Sequence, residues 1–207
     1  MNWKNYWSKR VRPYIGSEVL DGGAGSGATA DLLSSVRTRR WLALEPDRRL
    51  VAKIVSKIAD GRLLNCCGIR VGFVSDLSES ERFDSIIYAD VLERIEDDSL
   101  ELERASKSLK PGGNLLVLTP AHQFLYSPFD HAVGHHRRYN KKSLSLAAPR
   151  ALRLIQMPYL DSFGLLVSAA NRSMLRSSLP SLRQIMIWDR AVVPLSRLDR
   201  PHLSGPV

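Results

Sequence analysis

The chain is 207 residues long, 44% apolar and 25% charged, with a formal net charge of +9. That is the size of one α/β domain with a sizeable core and too short for two full domains, so residues 1–207 are read as a single domain. No apolar run reaches the roughly 18 residues that cross a bilayer, and the first residues lack the apolar stretch of a signal peptide, so a cytoplasmic protein is expected.

The two cysteines, Cys66 and Cys67, are adjacent, which disfavours a structural disulfide and fits a reducing compartment. The positive charge admits nucleic acid, acidic headgroups or a phosphorylated substrate as partner. It is scattered, however, with small concentrations at residues 37–40 and 135–142 and no basic tract interleaved with aromatics. Nucleic acid is therefore not the expected partner, while peripheral membrane contact stays open.

Residues 1–15 carry Trp3, Trp7 and Val11 at four-residue steps, which predicts an amphipathic helix ended by Pro13 and Gly16, with Tyr6 or Trp7 as a lid over a ligand. Residues 17–21 read as strand one. Four glycines then fall within six positions, and residues 27–35 read as a helix. A strand that breaks on glycines and feeds a helix start is a ligand cradle, because absent Cβ atoms let a ligand approach the backbone and free N–H groups point outward. The loop admits two readings. Gly23-x-Gly25-x-x-Ala28 passes for a dinucleotide phosphate fingerprint, and Asp21-x-Gly23-x-Gly25-x-Gly27 is the other.

The alternation continues with strand two at 40–45, a helix at 47–59, strand three at 69–74, strand four at 82–89, a helix at 97–110 and strand five at 114–118. Leu102, Ala105 and Leu109 share one helix face, and Pro111-Gly112-Gly113 is expected to stop that helix. Strands alternating with helices predict a Rossmann-like, doubly wound, mostly parallel sheet with helices on both faces and the ligand at the carboxyl ends of the strands. Glu45, followed by Pro46, ends strand two about 20 residues beyond the glycines, where an acid accepts both ribose hydroxyls. Asp76 follows strand three, placed to accept from an adenine amino group, with Leu77 to pack on the ring. Ala89 and Asp90 end strand four at mid-sheet.

The loop read as Asp21-x-Gly23-x-Gly25-x-Gly27 resembles the nucleotide-binding loop of class I S-adenosylmethionine-dependent methyltransferases. The resemblance sharpens at Phe83-Asp84-Ser-Ile-Ile-Tyr-Ala-Asp90-Val-Leu-Glu-Arg94-Ile-Glu-Asp-Asp98 and Leu109-Lys-Pro-Gly-Gly113, which look like the strand-four and strand-five signature of the small-molecule members. It covers roughly residues 17–120 and implies S-adenosylmethionine as cofactor, held by Asp21, Gly23, Gly25, Gly27, Glu45, Pro46, Asp76, Leu77, Ala89 and Asp90. Arg94 departs from the family, which commonly has histidine there, and this puts one contact in doubt.

After Pro120 comes a loop with four histidines in fifteen residues, His122, His131, His135 and His136. It resembles the acceptor-side loop of a bacterial subgroup often found alongside glycosyltransferases. The resemblance implies methyl transfer to an oxygen, nitrogen or carbon of a small-molecule or glycolipid-like acceptor. An oxygen or nitrogen nucleophile calls for a base near neutrality, and His136 and His122, both within reach of the carboxyl edge, are the candidates, with Asp130 and Tyr126 as substitutes. Metal-ligand spacing is missing, so no metal is assigned. Residues 141–148 read as a helix, 152–160 as strand six, 162–175 as a helix, and 182–198 as a helix with Trp188, Ala191, Val192 and Leu195 inward. The final antiparallel strand usual in the family is not found. A six-stranded sheet is expected, whose open edge invites a homodimer or is covered by residues 180–200. Other readings are an RNA methyltransferase, which lacks the family's asparagine–proline motif after strand four, a binding protein that has lost catalysis, and a dehydrogenase.

Overall fold

The structure is a computed structural model that describes residues 2–35, 37–63, 66–160, 186 and 188–195. Five parallel strands form the sheet among these residues: β1 (Glu18–Gly22), β2 (Arg40–Glu45), β3 (Cys67–Val71), β4 (Phe83–Ala89) and β5 (Leu109–Leu118), in the order β3-β2-β1-β4-β5. The switch in strand direction of travel falls at β1, between β2 and β4, so the crevice opens beside the glycine loop.

Alternate side chains of these strands build two cores. Leu20, Leu42, Leu44, Ile86 and Tyr88 face one side, where Leu102 and Ala105 of α4 (Asp98–Lys107) and Ala147 of α6 (Lys141–Ala147) close over them. Val19, Trp41, Ala43 and Ile87 face the other, against Trp7 of α1 (Asn2–Val11), Ala30 and Leu33 of α2 (Ala28–Leu33) and Ile54 of α3 (Arg48–Ala59). Two helices start where the sequence supplies acceptors. Asp47 takes the Arg49 amide ahead of α3, and Asp97 takes the Leu100 amide ahead of α4. At the opposite edge, Asp84 Oδ2 accepts from the Ser17 and Glu18 amides at 3.0 and 2.8 Å and clamps the start of β1 to β4. Against the push of burial, Lys110 and these bonds hold the Asp84 carboxyl at about 2.

Several expectations need correction. The helix before β5 ends at Lys107, so Leu109 is not on its face. It opens β5 opposite Phe83, and Pro111-Gly112-Gly113 forms a bulge inside the strand before Asn114 pairs with Ser85. Gly112, at φ +77°, takes the left-handed turn that this bulge needs. Strand three ends at Val71, because Gly72 breaks it and Val74–Asp76 coil into a short 3₁₀ turn. Residues 152–160 form no strand. Leu154 and Ile155 stand 62% and 55% exposed, and Pro158 removes a ladder donor.

The sheet therefore has five strands among the described residues, not six. The expected helix at 162–175 lies outside the described residues. Of the one at 182–198, Trp188–Val192 and Val193–Leu195 are helical. Ala191 is exposed rather than inward and Val193 is buried instead, while the side chains of Trp188, Val192 and Leu195 lie outside what is described.

The described part of this last segment docks on α1. The amides of Asn2 and Trp3 each donate to the Asp189 carboxylate at 3.1 Å, as they would to a helix N-cap. Asp189→Ala should therefore lower the stability of the chain by about 1 kcal/mol, read as a drop in melting temperature.

Candidate functional site

The glycine loop hangs from the end of β2. Gly23 and Ala24 both donate to the Leu44 carbonyl, at 2.8 and 3.1 Å, and the Gly25 amide donates to Glu45 Oε2 at 2.8 Å. Glu45 is 6% exposed, and its other oxygen accepts the Asp47 amide at 2.9 Å beside the exposed Pro46. One carboxylate thus fixes both the loop and the start of α3, and each oxygen keeps a lone pair for a further hydroxyl donor. Gly25 lies at φ +58°, and a Cβ built on it meets no atom within 4 Å, so the open space over the loop begins there. Gly23 is also left-handed, but a Cβ there would sit 2.6 Å from Val91 and is excluded by the protein itself. Gly27, at φ +78°, caps α2.

Asp21 lies beneath this loop, 1% exposed, with Oδ2 lacking any hydrogen-bond partner. Burial pushes its pKa up to about 7; the nearby Trp41 indole pulls it back and the Glu45 charge adds to the rise. Asp90, at the end of β4, has φ +57°, a conformation that costs a non-glycine residue strain and gathers at functional sites. Its amide is tied to the Leu118 carbonyl at 2.9 Å; the residue itself is exposed, and the protein atoms crowding its carboxyl raise the pKa by desolvation against the pull of Arg94 and Lys4. Ala89 beside it packs into the α1 face. Asp76 lies in the turn just past β3, the strand that pairs with β2 as far as Glu45. It is exposed, and its Oδ2 accepts the Phe73 amide at 2.8 Å, closing the 3₁₀ turn, with Leu77 packed into the α4 face.

A linkage prediction follows from Asp21. Its folded pKa lies above the unfolded value, so its contribution to stability is full below about pH 4 and is lost as pH rises through about 7. His122 and His135, whose pKa values burial lowers, act in the opposite sense below about pH 6.5. Asp21→Asn isolates the carboxyl: relative to the parent, the variant should gain melting temperature steadily between about pH 5 and about pH 8.

The histidine loop folds over the carboxyl ends of β4 and β5. Its tethers are Ala121 bridged to Tyr139, the His136 amide on the Glu93 carbonyl at 2.8 Å, and Arg94 on the Val133 carbonyl. Arg94, the departure from the family pattern, is thus a staple for this loop. Of the two predicted bases, His122 stacks on Tyr159 with ring centroids 4.6 Å apart, and burial, then Arg138, lowers its pKa.

His136 needs correction. It is exposed, and its imidazole makes no hydrogen bond among the described residues. The inward histidine is its neighbour. His135 Nδ1 lies 3.2 Å from Asp130 Oδ1, and Nε2 lies 3.7 Å from Oε1 of Glu93, a residue with no exposed surface. Tyr126 donates to the His135 carbonyl and holds the backbone of this stretch. The sequence marks Glu93 as a site residue only through its place in the Leu-Glu-Arg run beyond β4. None of the described helices is long and apolar enough to cross a membrane.

This geometry has relatives. A family model described as a methyltransferase domain matches residues 8–176. A probable S-adenosylmethionine-dependent methyltransferase of Mycolicibacterium smegmatis is 28% identical over 134 residues, covering 60% of this chain and 49% of that protein. A ubiquinone biosynthesis O-methyltransferase of Chelativorans sp. is 27% identical over 123 residues, covering 54% and 43%. The chain thus spans about half the length of the curated relatives it matches. Among solved structures, the YcgJ protein of Bacillus subtilis superposes with a TM-score of 0.59 at 19% identity, covering 70% of this chain and 64% of that one, a likeness of fold. With the family model spanning most of its length, and with the glycine loop, acidic strand ends and sheet order described above, the chain belongs to the class I S-adenosylmethionine-dependent methyltransferases.

Proposed function

We propose that the protein transfers a methyl group from S-adenosylmethionine to a small-molecule or glycolipid-like acceptor. The observation that carries this reading is the buried Asp21 carboxyl beneath an open glycine loop, its Oδ2 without a hydrogen-bond partner among the described residues, with Asp90 at the next strand end. Carboxylates held at raised pKa favour a cationic ligand, because a positive charge restores the interaction lost on burial. When bound, the cofactor supplies an electrophilic methyl on cationic sulfur. Gly23, Gly25 and Gly27 would line its path, Glu45 would accept its ribose hydroxyls, Asp76 and Leu77 would meet the adenine, and Asp21 and Asp90 would face its positive charge. The protein's main tasks are then alignment of the reactants and exclusion of water.

The basic residues do not favour an RNA substrate. Arg39 pairs with Glu18, Arg40 and Arg70 share Glu81, Arg137 pairs with Asp98 and Arg138 with Asp130, so four arginines of the two basic concentrations are engaged within the fold. Methyl-labelled cofactor incubated with the protein and separated RNA, lipid and small-molecule extracts should label the lipid or small-molecule fraction. Label confined to RNA would overturn the acceptor class, and cofactor binding with no labelled product in any fraction would favour a protein that has lost catalysis.

A further inference from the structure

Three titratable side chains cluster beyond the cofactor cradle, where the turn after β4 meets α5 (Pro128–Ala132) and the loop that follows it. Asp130 is 1% exposed and accepts from the Ser127 amide and hydroxyl, each at 2.9 Å, and from Arg138 Nε and Nη2 at 2.9 and 3.0 Å. Burial raises its pKa, but Arg138 and Ser127 outweigh it and hold the carboxyl below its usual range, so it is ionised. An ionised acceptor at Nδ1 selects the imidazole tautomer with the proton on that nitrogen and leaves the Nε2 lone pair bare. Nε2 faces Glu93 Oε1 at 3.7 Å, beyond hydrogen-bond length, and Oε1 has no hydrogen-bond partner among the described residues. The other Glu93 oxygen accepts the Thr119 hydroxyl at 3.0 Å.

We infer that His135, oriented by Asp130 and backed by Glu93, is the base that deprotonates a hydroxyl acceptor. This rests on the methyl-transfer reading and narrows its substrate class. A neutral amine attacks with its own lone pair and sheds its proton afterwards, and a carboxylate or thiolate arrives ionised. A weakly acidic hydroxyl gains most from a base during attack. In the step, the hydroxyl proton passes to His135 Nε2 while the oxygen takes the methyl group, whose former bonding pair stays on sulfur. The imidazolium that forms lies between the carboxylates of Asp130 and Glu93 and later releases its proton to solvent. Asp130 is a positioning residue, as in hydrolase triads.

A plain ion pair is the rival explanation, and the surroundings argue against it. Burial lowers the His135 pKa first, Asp130 raises it in part, and the positive charges of Arg94 and Arg138 lower it again. Burial and the neighbouring Asp90 push Glu93 up to about 7, with Thr119 and Arg94 opposing, and the Tyr139 phenol lies within its field. The charged imidazolium is therefore the minor form near neutrality.

Long-range proton–nitrogen NMR of the ¹⁵N-labelled full chain, with S-adenosylhomocysteine added, tests this without an acceptor. Near neutral pH, His135 should show a protonated Nδ1 and a bare Nε2, favoured by about tenfold or more, the weight of one hydrogen bond to a charged acceptor. Asp130→Asn should erase that preference and lower the titration midpoint of His135 further. A doubly protonated ring, or the proton on Nε2, in the parent protein overturns the assignment. Calorimetry on the same sample separates the failures. S-adenosylhomocysteine that does not bind defeats the methyltransferase reading, whereas binding with a charged His135 defeats only the base.

Discussion

Gly25→Leu should abolish binding of S-adenosylmethionine and S-adenosylhomocysteine while leaving the protein folded. The two consequences separate because of where this glycine sits. A Cβ at Gly25 meets nothing in the protein within 4 Å, so the side chain enters the open space above the loop and not the core. The left-handed backbone at φ +58° still penalises a side chain, by about 1–2 kcal/mol, which a chain of this size withstands. The ligand has no such tolerance, since the loop's use is close approach to the backbone. Affinity should fall by at least about 100-fold, or about 2.7 kcal/mol. Gly23→Ala is the instructive contrast. Its Cβ would lie 2.6 Å from Val91, so that variant should lose melting temperature as well as binding. Calorimetry and thermal melts on the pair read both effects, and undiminished affinity in Gly25→Leu would remove the loop from the site.

Glu45→Ala has the next largest expected effect, and it acts twice. Both carboxylate oxygens already hold backbone amides, Gly25 at 2.8 Å and Asp47 at 2.9 Å. Deleting them orphans two donors in a region 6% exposed at this residue, at a cost of about 1–3 kcal/mol each where water cannot enter. It also removes the acceptor for the ribose hydroxyls, worth about 2–3 kcal/mol of affinity. Glu45→Gln keeps the shape and one carbonyl oxygen, so it should recover part of the stability and little of the affinity. If Glu45→Ala binds S-adenosylhomocysteine within about threefold of the parent, the ribose assignment fails.

Much of this arrangement was legible in the residues before any coordinates. The strands alternate with helices at regular spacing, and Asp47 and Asp97 announce the helix starts as they prove to do. Glycines mark the loop because only they tolerate the positive φ seen at Gly23, Gly25 and Gly27. The errors have physical causes. Leu109 continues the helical period of Leu102 and Ala105, but pairing with Phe83 in the sheet overrides it. Residues 152–160 are apolar enough for a strand, yet apolar content cannot tell a paired strand from irregular chain packed against the fold. His135 and His136 are adjacent in irregular chain, where no periodicity decides which ring turns inward. That choice is made by Asp130 and Glu93, which lie five and 42 residues away along the chain. The contact with Glu93, so distant in sequence, leaves no local trace.

The central claim is that the glycine loop and Glu45 hold a sulfonium cofactor and not a dinucleotide. Isothermal titration of the purified chain with S-adenosylhomocysteine and, separately, with NAD tests it most directly. Saturable binding of S-adenosylhomocysteine, lost in Gly25→Leu, with no heat from NAD, is the predicted result; NAD binding more tightly than S-adenosylhomocysteine would contradict it.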